Sequence, residues 1–139
     1  MIDPGAIDVW LVDGFNALHA CLLKGQGRER WWGVEAQTRV VHWLEAFACE
    51  HRVVVVFDAS DGHSERCSNE GFSTTLCFAP DADDEIVRLA LELAGQVCVV
   101  TADRSLTDRC RARGARTLKP WLFDDLLKLA GRIGCPTLT

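Results

Sequence analysis

The chain has 139 residues, a net charge of −5, and 48% apolar against 25% charged residues. That length suits one domain with one core, and that composition is ordinary for a globular protein rather than a disordered or membrane-embedded one. The acidic balance excludes binding of nucleic acid through overall charge and leaves only a local basic patch for that purpose.

Residues 1–7 form a short lead-in. No basic segment is followed there by a long apolar run, so no signal peptide is expected. No stretch approaches the length of a membrane span. The expected location is therefore cytoplasmic, with no membrane partner. The first strand covers about 8–12, where Val9-Trp10-Leu11-Val12 reads as fully buried. It stops at Asp13-Gly14-Phe15-Asn16. A carboxylate at the end of a core strand needs a partner or a metal. A short helix from Asn16 to Leu23 follows, then a polar loop that holds Lys24, Arg28 and Arg30. The loop closes on Trp31-Trp32, for which two readings stand: one ring caps the core, or the pair stacks on bases or a partner.

Residues 34–50 read as an amphipathic helix with Val34, Val41, Leu44 and Ala48 on one face. The second strand, 52–57, ends at Asp58. The stretch from Ala59 to Gly71 is polar and is the longest loop, either a binding loop or merely a flexible one. The third strand is expected at about 73–78. The helix at 82–94 carries seven apolar residues, from Ile86 to Ala94, and reads as apolar nearly all round and well buried. A fourth strand at 97–101 leads to Asp103. A helix at about 104–113 then carries Arg104, Arg109, Arg111 and Arg113. Gly114, a short strand at 115–118 and a last helix at 121–131, packing Leu122, Leu126, Leu127 and Ala130, complete the core.

Strands alternating with helices predict a single α/β domain over 1–139, core about 8–131. Its architecture is a three-layer αβα sandwich with a mostly parallel sheet of about five strands. The seven cysteines include no CxxC pair. They read as buried small hydrophobes of a reducing compartment.

Right-handed crossovers keep the carboxyl ends of parallel strands on one rim. Ligands of open α/β sheets bind there. Asp13, Asp58, Asp83, Asp84 and Asp103 all fall at such ends or just beyond them. Carboxylates so gathered raise each other's pKa unless a cation is present. Magnesium and manganese favour carboxylate and water ligands, and such ions promote phosphodiester hydrolysis. Asp13, Asp58, Asp83 and Asp103 are the natural ligands, directly or through water, with Asp84 beside them. Asn16 is placed to orient a water or a phosphate oxygen. Each acid taken alone has a plainer explanation. Asp81 and Asp103 suit helix N-caps, and Asp83 and Asp84 suit the positive end of a helix. The arginines at 104, 109, 111 and 113, with Arg28 and Arg30, read either as phosphate contacts for a polyanion substrate or as a solvated face.

These segments resemble a known family. LVDGFNALHA is similar to the opening motif of NYN domains, PIN-like nucleases of the YacP-like branch. VVVVFDAS, DADDEIVRLA and VVTADRSL resemble that family's later segments, in the same order, over about residues 8–130. The resemblance implies a PIN-like fold and a metal-dependent endoribonuclease acting on single-stranded RNA, including ribosome-associated message. Its implied acids are Asp13, Asp58, Asp83 and Asp103, with Asn16 alongside and Mg2+ or Mn2+ as cofactor. RNA and the ribosome are the implied partners. Phe15 departs from the family's usual Tyr, and Asp81 stands where Thr is common.

Two rivals remain. A phosphoacceptor receiver domain would use Asp13, Asp58, Thr101 and Lys119-Pro120, but it places its acceptor on the third strand. A non-catalytic RNA- or ribosome-binding module on the same fold would not need all four acids. The sequence leaves the oligomeric state open.

Overall fold

The β-branched and aromatic runs form the strands β1 (Val9–Asp13), β2 (Arg52–Asp58), β3 (Glu65–Ser68), β4 (Thr74–Ala79), β5 (Val97–Val100) and β6 (Arg116–Leu118). The helices are α1 (Gly14–Ala17), α2 (Val34–Ala48), α3 (Ala82–Glu92), α4 (Arg104–Ala112) and α5 (Pro120–Ile133). After α1 the next turn, Leu18–Leu22, widens into π geometry. The computed structural model describes residues 2–22, 34–58, 65–68, 74–93 and 95–133.

One sheet of six strands runs in the order β3-β4-β2-β1-β5-β6. Five strands are parallel, as expected. The sixth, β3, pairs antiparallel with β4 at one edge. It lies in the stretch read from sequence as loop, because Glu65-Arg66-Cys67-Ser68 lacks an apolar pattern. Taken alone, the parallel strands read third, second, first, fourth, fifth. That order reverses between β1 and β5, which makes a topological switch point. A receiver domain has its second strand at the edge and its first strand between the second and third. This topology excludes that rival.

Strand periodicity decides which helices each side chain meets. Trp10 and Val12 of β1, Val53, Val55 and Phe57 of β2, and Cys98 and Val100 of β5 pack under α2 and α5, with Leu44, Phe47, Phe123 and Leu127. Val9 and Leu11, Val54 and Val56, and Val97 and Val99 pack on the opposite face under α3 and α4, with Ile86, Leu89, Leu106 and Cys110. The first face is aromatic. Trp10 meets Phe47 edge-on and Phe123 at a tilt, both with centroids 5.2 Å apart. Trp43 Nε1 donates to Asp124 Oδ1 at 2.8 Å and ties α2 to α5.

The helices correct three expectations. α3 is buried on one face only, through Ala82, Ile86, Val87 and Leu89, while Leu91 is 54% exposed. In α5 the core residues are Phe123 and Leu127, and Leu122 faces outward. Cys77, Cys98 and Cys110 are buried thiols, and burial pushes Cys98 up to about 12 and Cys110 up to about 11. Cys49, however, is disulfide-bonded rather than free. Among the described residues no helix is long and apolar enough to cross a membrane.

Gly14 starts α1 at the sheet's rim, and its lack of a side chain is a packing requirement. A Cβ there would lie 2.5 Å from Phe57 Cε1. The Phe57 ring is buried and flanked by Phe15 and Phe78 at 5.2 and 5.6 Å, so it has little room to yield. Gly14→Ala is expected to destabilise the fold by about 1–3 kcal/mol. A urea midpoint equal to wild type would show that the ring can move.

Candidate active site

The strand periodicity that sorts the core also aims the polar residues of the rim. Asp13 continues the Val9, Leu11 series of β1, Asp58 the Val54, Val56 series of β2, and Thr101 the Val97, Val99 series of β5. All three therefore turn toward the layer of α3 and α4. Asp13 is level with Val56 in the register of the sheet. Asp58 thus stands two residues further out, about 6–7 Å along the strand direction.

Asp13 is the innermost acid, only 9% exposed. Thr101 Oγ1 donates to its Oδ2 at 3.1 Å and accepts from the Asp103 backbone N–H at 3.1 Å. This one hydroxyl bridges β1 to the turn after β5, across the switch point. Asn16 Oδ1 accepts from the Ala102 N–H at 2.7 Å and clamps the same turn from the other side. That bond commits the oxygen of Asn16, so any contact with a substrate falls to its NH2 group.

The helix starts supply the other acids. Asp81 caps α3, accepting from Asp84 N–H at 3.1 Å, and Asp103 caps α4, accepting from Leu106 N–H at 3.0 Å. These are the plain N-cap roles expected of both residues. Asp58 Oδ1 accepts from Ala82 N–H at 2.7 Å and so joins β2 to the start of α3. Asp83 sits in the first turn of α3.

Capping does not neutralise the cluster. Burial pushes the Asp13 carboxyl up to about 7, and the charge of Asp83 pushes in the same direction, with Asp58 adding less. The Thr101 hydroxyl and the Asn16 backbone N–H oppose the rise without cancelling it. Asp83 is also raised, first by burial and then by Asp103, Asp81 and Asp58, while Arg109 pulls the other way. Asp13 thus feels the charges of Asp83 and Asp58, and Asp83 those of Asp103, Asp81 and Asp58.

Asp84 departs from the expected ligand set. It is 66% exposed and pairs with Arg109 at 2.8 Å. The arginines do not form one patch. Arg104 opens α4 beside Asp103, and Arg109 crosses to α3. Arg111 turns toward β6, its Nε donating to Thr117 Oγ1 at 3.0 Å. Arg113 is the C-cap, at the helix end away from the acids. Arg28, Arg30, Lys24 and the Trp31-Trp32 pair lie outside the described residues, as does most of the loop from Ala59 to Gly71. Sequence reasoning passed over Thr101 as part of this site. The signal for it was its parity with Val97 and Val99.

Among the described residues no three His, Cys, Asp or Glu side chains gather closely enough to hold a metal ion together. The donor chemistry nevertheless fits a hard divalent cation. The group is all carboxylate, and its innermost member carries a charge penalty that its hydrogen bonds do not cancel. Magnesium keeps several of its waters and needs only one or two carboxylates.

The raised Asp13 gives a pH signature. Below about 7 the folded protein keeps a proton that the unfolded chain, with its carboxyl at 3.8, releases. Stability therefore falls as pH rises from about 4 to 7 and levels off above. The full shift from 3.8 to about 7 sets an upper bound of about 4 kcal/mol. Asp13→Asn keeps an acceptor for Thr101 and removes the charge. In EDTA at pH 8 the variant is expected to resist urea better than wild type, and by pH 4 the gap closes. Equal urea midpoints at pH 8 would mean that Asp13 carries no such penalty.

The fold has counterparts among known proteins. The family model described as the YacP-like NYN domain matches residues 10–132. Two crystal structures of Rae1 (YacP) from Bacillus subtilis superpose with a TM-score of 0.71. One is a tryptophan-to-leucine mutant, 24% identical, with the match covering 91% of this chain and 78% of that one. The other is 23% identical and covers 91% and 76%. At these identities the likeness speaks for the fold. No curated protein matches. With the family model spanning nearly the whole sheet and both helical layers, the chain belongs to the YacP-like NYN domain family.

Proposed function

We propose that this protein is a metal-dependent endoribonuclease that hydrolyses phosphodiester bonds in single-stranded RNA, including message presented on the ribosome. Membership in the YacP-like NYN family supports a nuclease-type, RNA-related activity. The observation that carries the reading is the set of mutually repelling acids at the switch point, with Asp13 buried at its base.

The cofactor of this reading is Mg2+ or Mn2+, held by Asp13 and Asp83 with Asp58 and Asp103 through water. When bound, such an ion lowers the pKa of its water and offsets charge on the leaving oxygen. The protein's own groups do the rest. Thr101 fixes the Asp13 carboxylate in orientation. Asn16 and Asp103 hold the β5–α4 turn rigid. Arg104, beside Asp103 at the start of α4, offers a cationic contact for a phosphate at the rim. Arg109 is shared with Asp84 and Asp83, so it steadies the acids more than it meets the substrate.

The absence of a ready three-carboxylate cage among the described residues favours a second reading, a non-catalytic RNA-binding module on this fold. Labelled single-stranded RNA and DNA, free and as ribosome-bound message, incubated with manganese, magnesium or EDTA, separate the two. Cleavage that needs the metal supports the nuclease. RNA binding without cleavage of any of these substrates supports the module.

Asp83 distinguishes a ligand from a helix-dipole residue. Asp83→Asn is expected to lose activity, to lose most of the thermal stabilisation that manganese gives wild type, and to melt no lower than wild type in EDTA. The wild-type gain should grow with manganese concentration by mass action. A variant that melts lower in EDTA and keeps its full manganese shift would remove Asp83 from the metal site and leave it a helix-dipole role.

A further inference from the structure

A small cavity lies on the same rim, on the β6 side of the acids. It has a volume of about 230 Å³ and opens between α4, β6 and the start of α5. Its polar lining is Thr101, Thr107, Arg111, Thr117 and Lys119, against an apolar wall of Leu118 and Leu122. Two cations face one small cavity there. Three cations of the helices are by contrast paired with acids: Arg88 with Glu85 and Glu92, Arg109 with Asp84, and Lys128 with Asp124. No carboxylate among the described residues pairs with Arg111 or Lys119.

The surroundings prepare these groups for an oxyanion. Arg111 spends only its Nε on Thr117 Oγ1, which fixes the plane of the guanidinium and leaves its two terminal nitrogens for a ligand. Thr117 accepts in that bond, so its own hydroxyl hydrogen can be donated. The hydroxyls of Thr101 and Thr107 are already committed to Asp13 and to the Asp103 carbonyl. The donors available to a guest thus come from Arg111, Lys119 and Thr117. Position adds the second half of the argument. Thr101 lines the cavity and at the same time holds Asp13. Its N–H is bonded to the Leu118 carbonyl at 3.1 Å, which locks the cavity floor to the active rim.

We propose that this cavity is a phosphate subsite, in which Arg111, Lys119 and Thr117 hold a phosphate of the bound RNA strand beyond the scissile bond. The identity of the strand rests on the reading of the protein as an RNA hydrolase. The ligand chemistry, a phosphate diester of the backbone or a terminal monoester, rests on the cavity alone.

The test is RNA binding by fluorescence anisotropy in EDTA, over a range of salt, with single-stranded oligonucleotides carrying either a 5′-hydroxyl or a 5′-phosphate. Lys119→Gln and Arg111→Gln are each expected to bind on the order of tenfold more weakly and to lower the salt slope by about 1. Lys128→Gln removes an equal charge from α5 outside the cavity and is expected to change neither. Weakening with both oligonucleotides assigns the site to a backbone diester. Weakening confined to the 5′-phosphorylated strand assigns it to a terminal monoester. Wild-type affinity and slope in both variants would overturn the proposal, as would equal weakening by Lys128→Gln. Lys119→Gln breaks no side-chain bond of the fold, so it decides the matter if Arg111→Gln lowers the melting temperature. Cleavage is assayed separately with manganese. A wild type that cleaves nothing while Lys119→Gln still weakens binding sinks the nuclease and keeps the subsite. A wild type that cleaves while both variants bind normally sinks the subsite alone.

Discussion

The Asp13 carboxylate is held under the rim of the sheet at the end of its central parallel strand, with water largely removed and other acids nearby. A fold does not benefit from such a group. Burial disfavours the charge, and Asp83 and Asp58 disfavour it further. What keeps it in place is geometry that the rest of the molecule enforces. Strand alternation points it at α3 and α4, the neighbouring strand delivers the Thr101 hydroxyl, and the packed aromatic face behind β1 prevents retreat. The architecture therefore concentrates negative potential at the crevice where the strand order reverses.

Helix capping and site building are done here by the same atoms. Asp103 satisfies the free N–H of Leu106 and stands among the site acids. Asp58 satisfies the N–H of Ala82 from a different element, so the first turn of α3 is pinned to β2. That pin brings Asp83 over the rim. The positive ends of α3 and α4 partly offset the acids around them, yet Asp13 and Asp83 remain raised. Structural capping accounts for where Asp81 and Asp103 sit. It does not account for Asp13, which stays buried and raised despite the Asn16 backbone N–H and the Thr101 hydroxyl beside it.

Much of this was legible in the residues. Apolar runs that stop at acids marked the parallel strands, and the convergence of Asp13, Asp58, Asp83 and Asp103 followed from right-handed crossovers. Other features were hidden for identifiable reasons. β3 is a short polar edge strand with no pattern to betray it. The apolar count of α3 suggested burial all round, but only one stripe of a helix faces a sheet, and Leu91 falls off that stripe. The arginines of α4 looked like a cluster in sequence. At 100° per residue, Arg109 lies about 140° around the helix from Arg104, and Arg111 about 200° from Arg109. One meets Asp84 and the other meets Thr117. Thr101 was passed over because a threonine at a strand end is common, and its importance comes only from the strand beside it.

On the proposed reading a bound cation would replace the proton that burial favours at Asp13. Calorimetric titration of manganese into the protein, repeated in buffers of different ionisation enthalpy, measures this directly through the protons released on binding. With Asp13 pushed up to about 7, release is expected to approach one proton per ion at pH 6 and to vanish by about pH 8.5. Manganese that binds at pH 6 without releasing protons, or that binds nowhere in this range, would contradict the account.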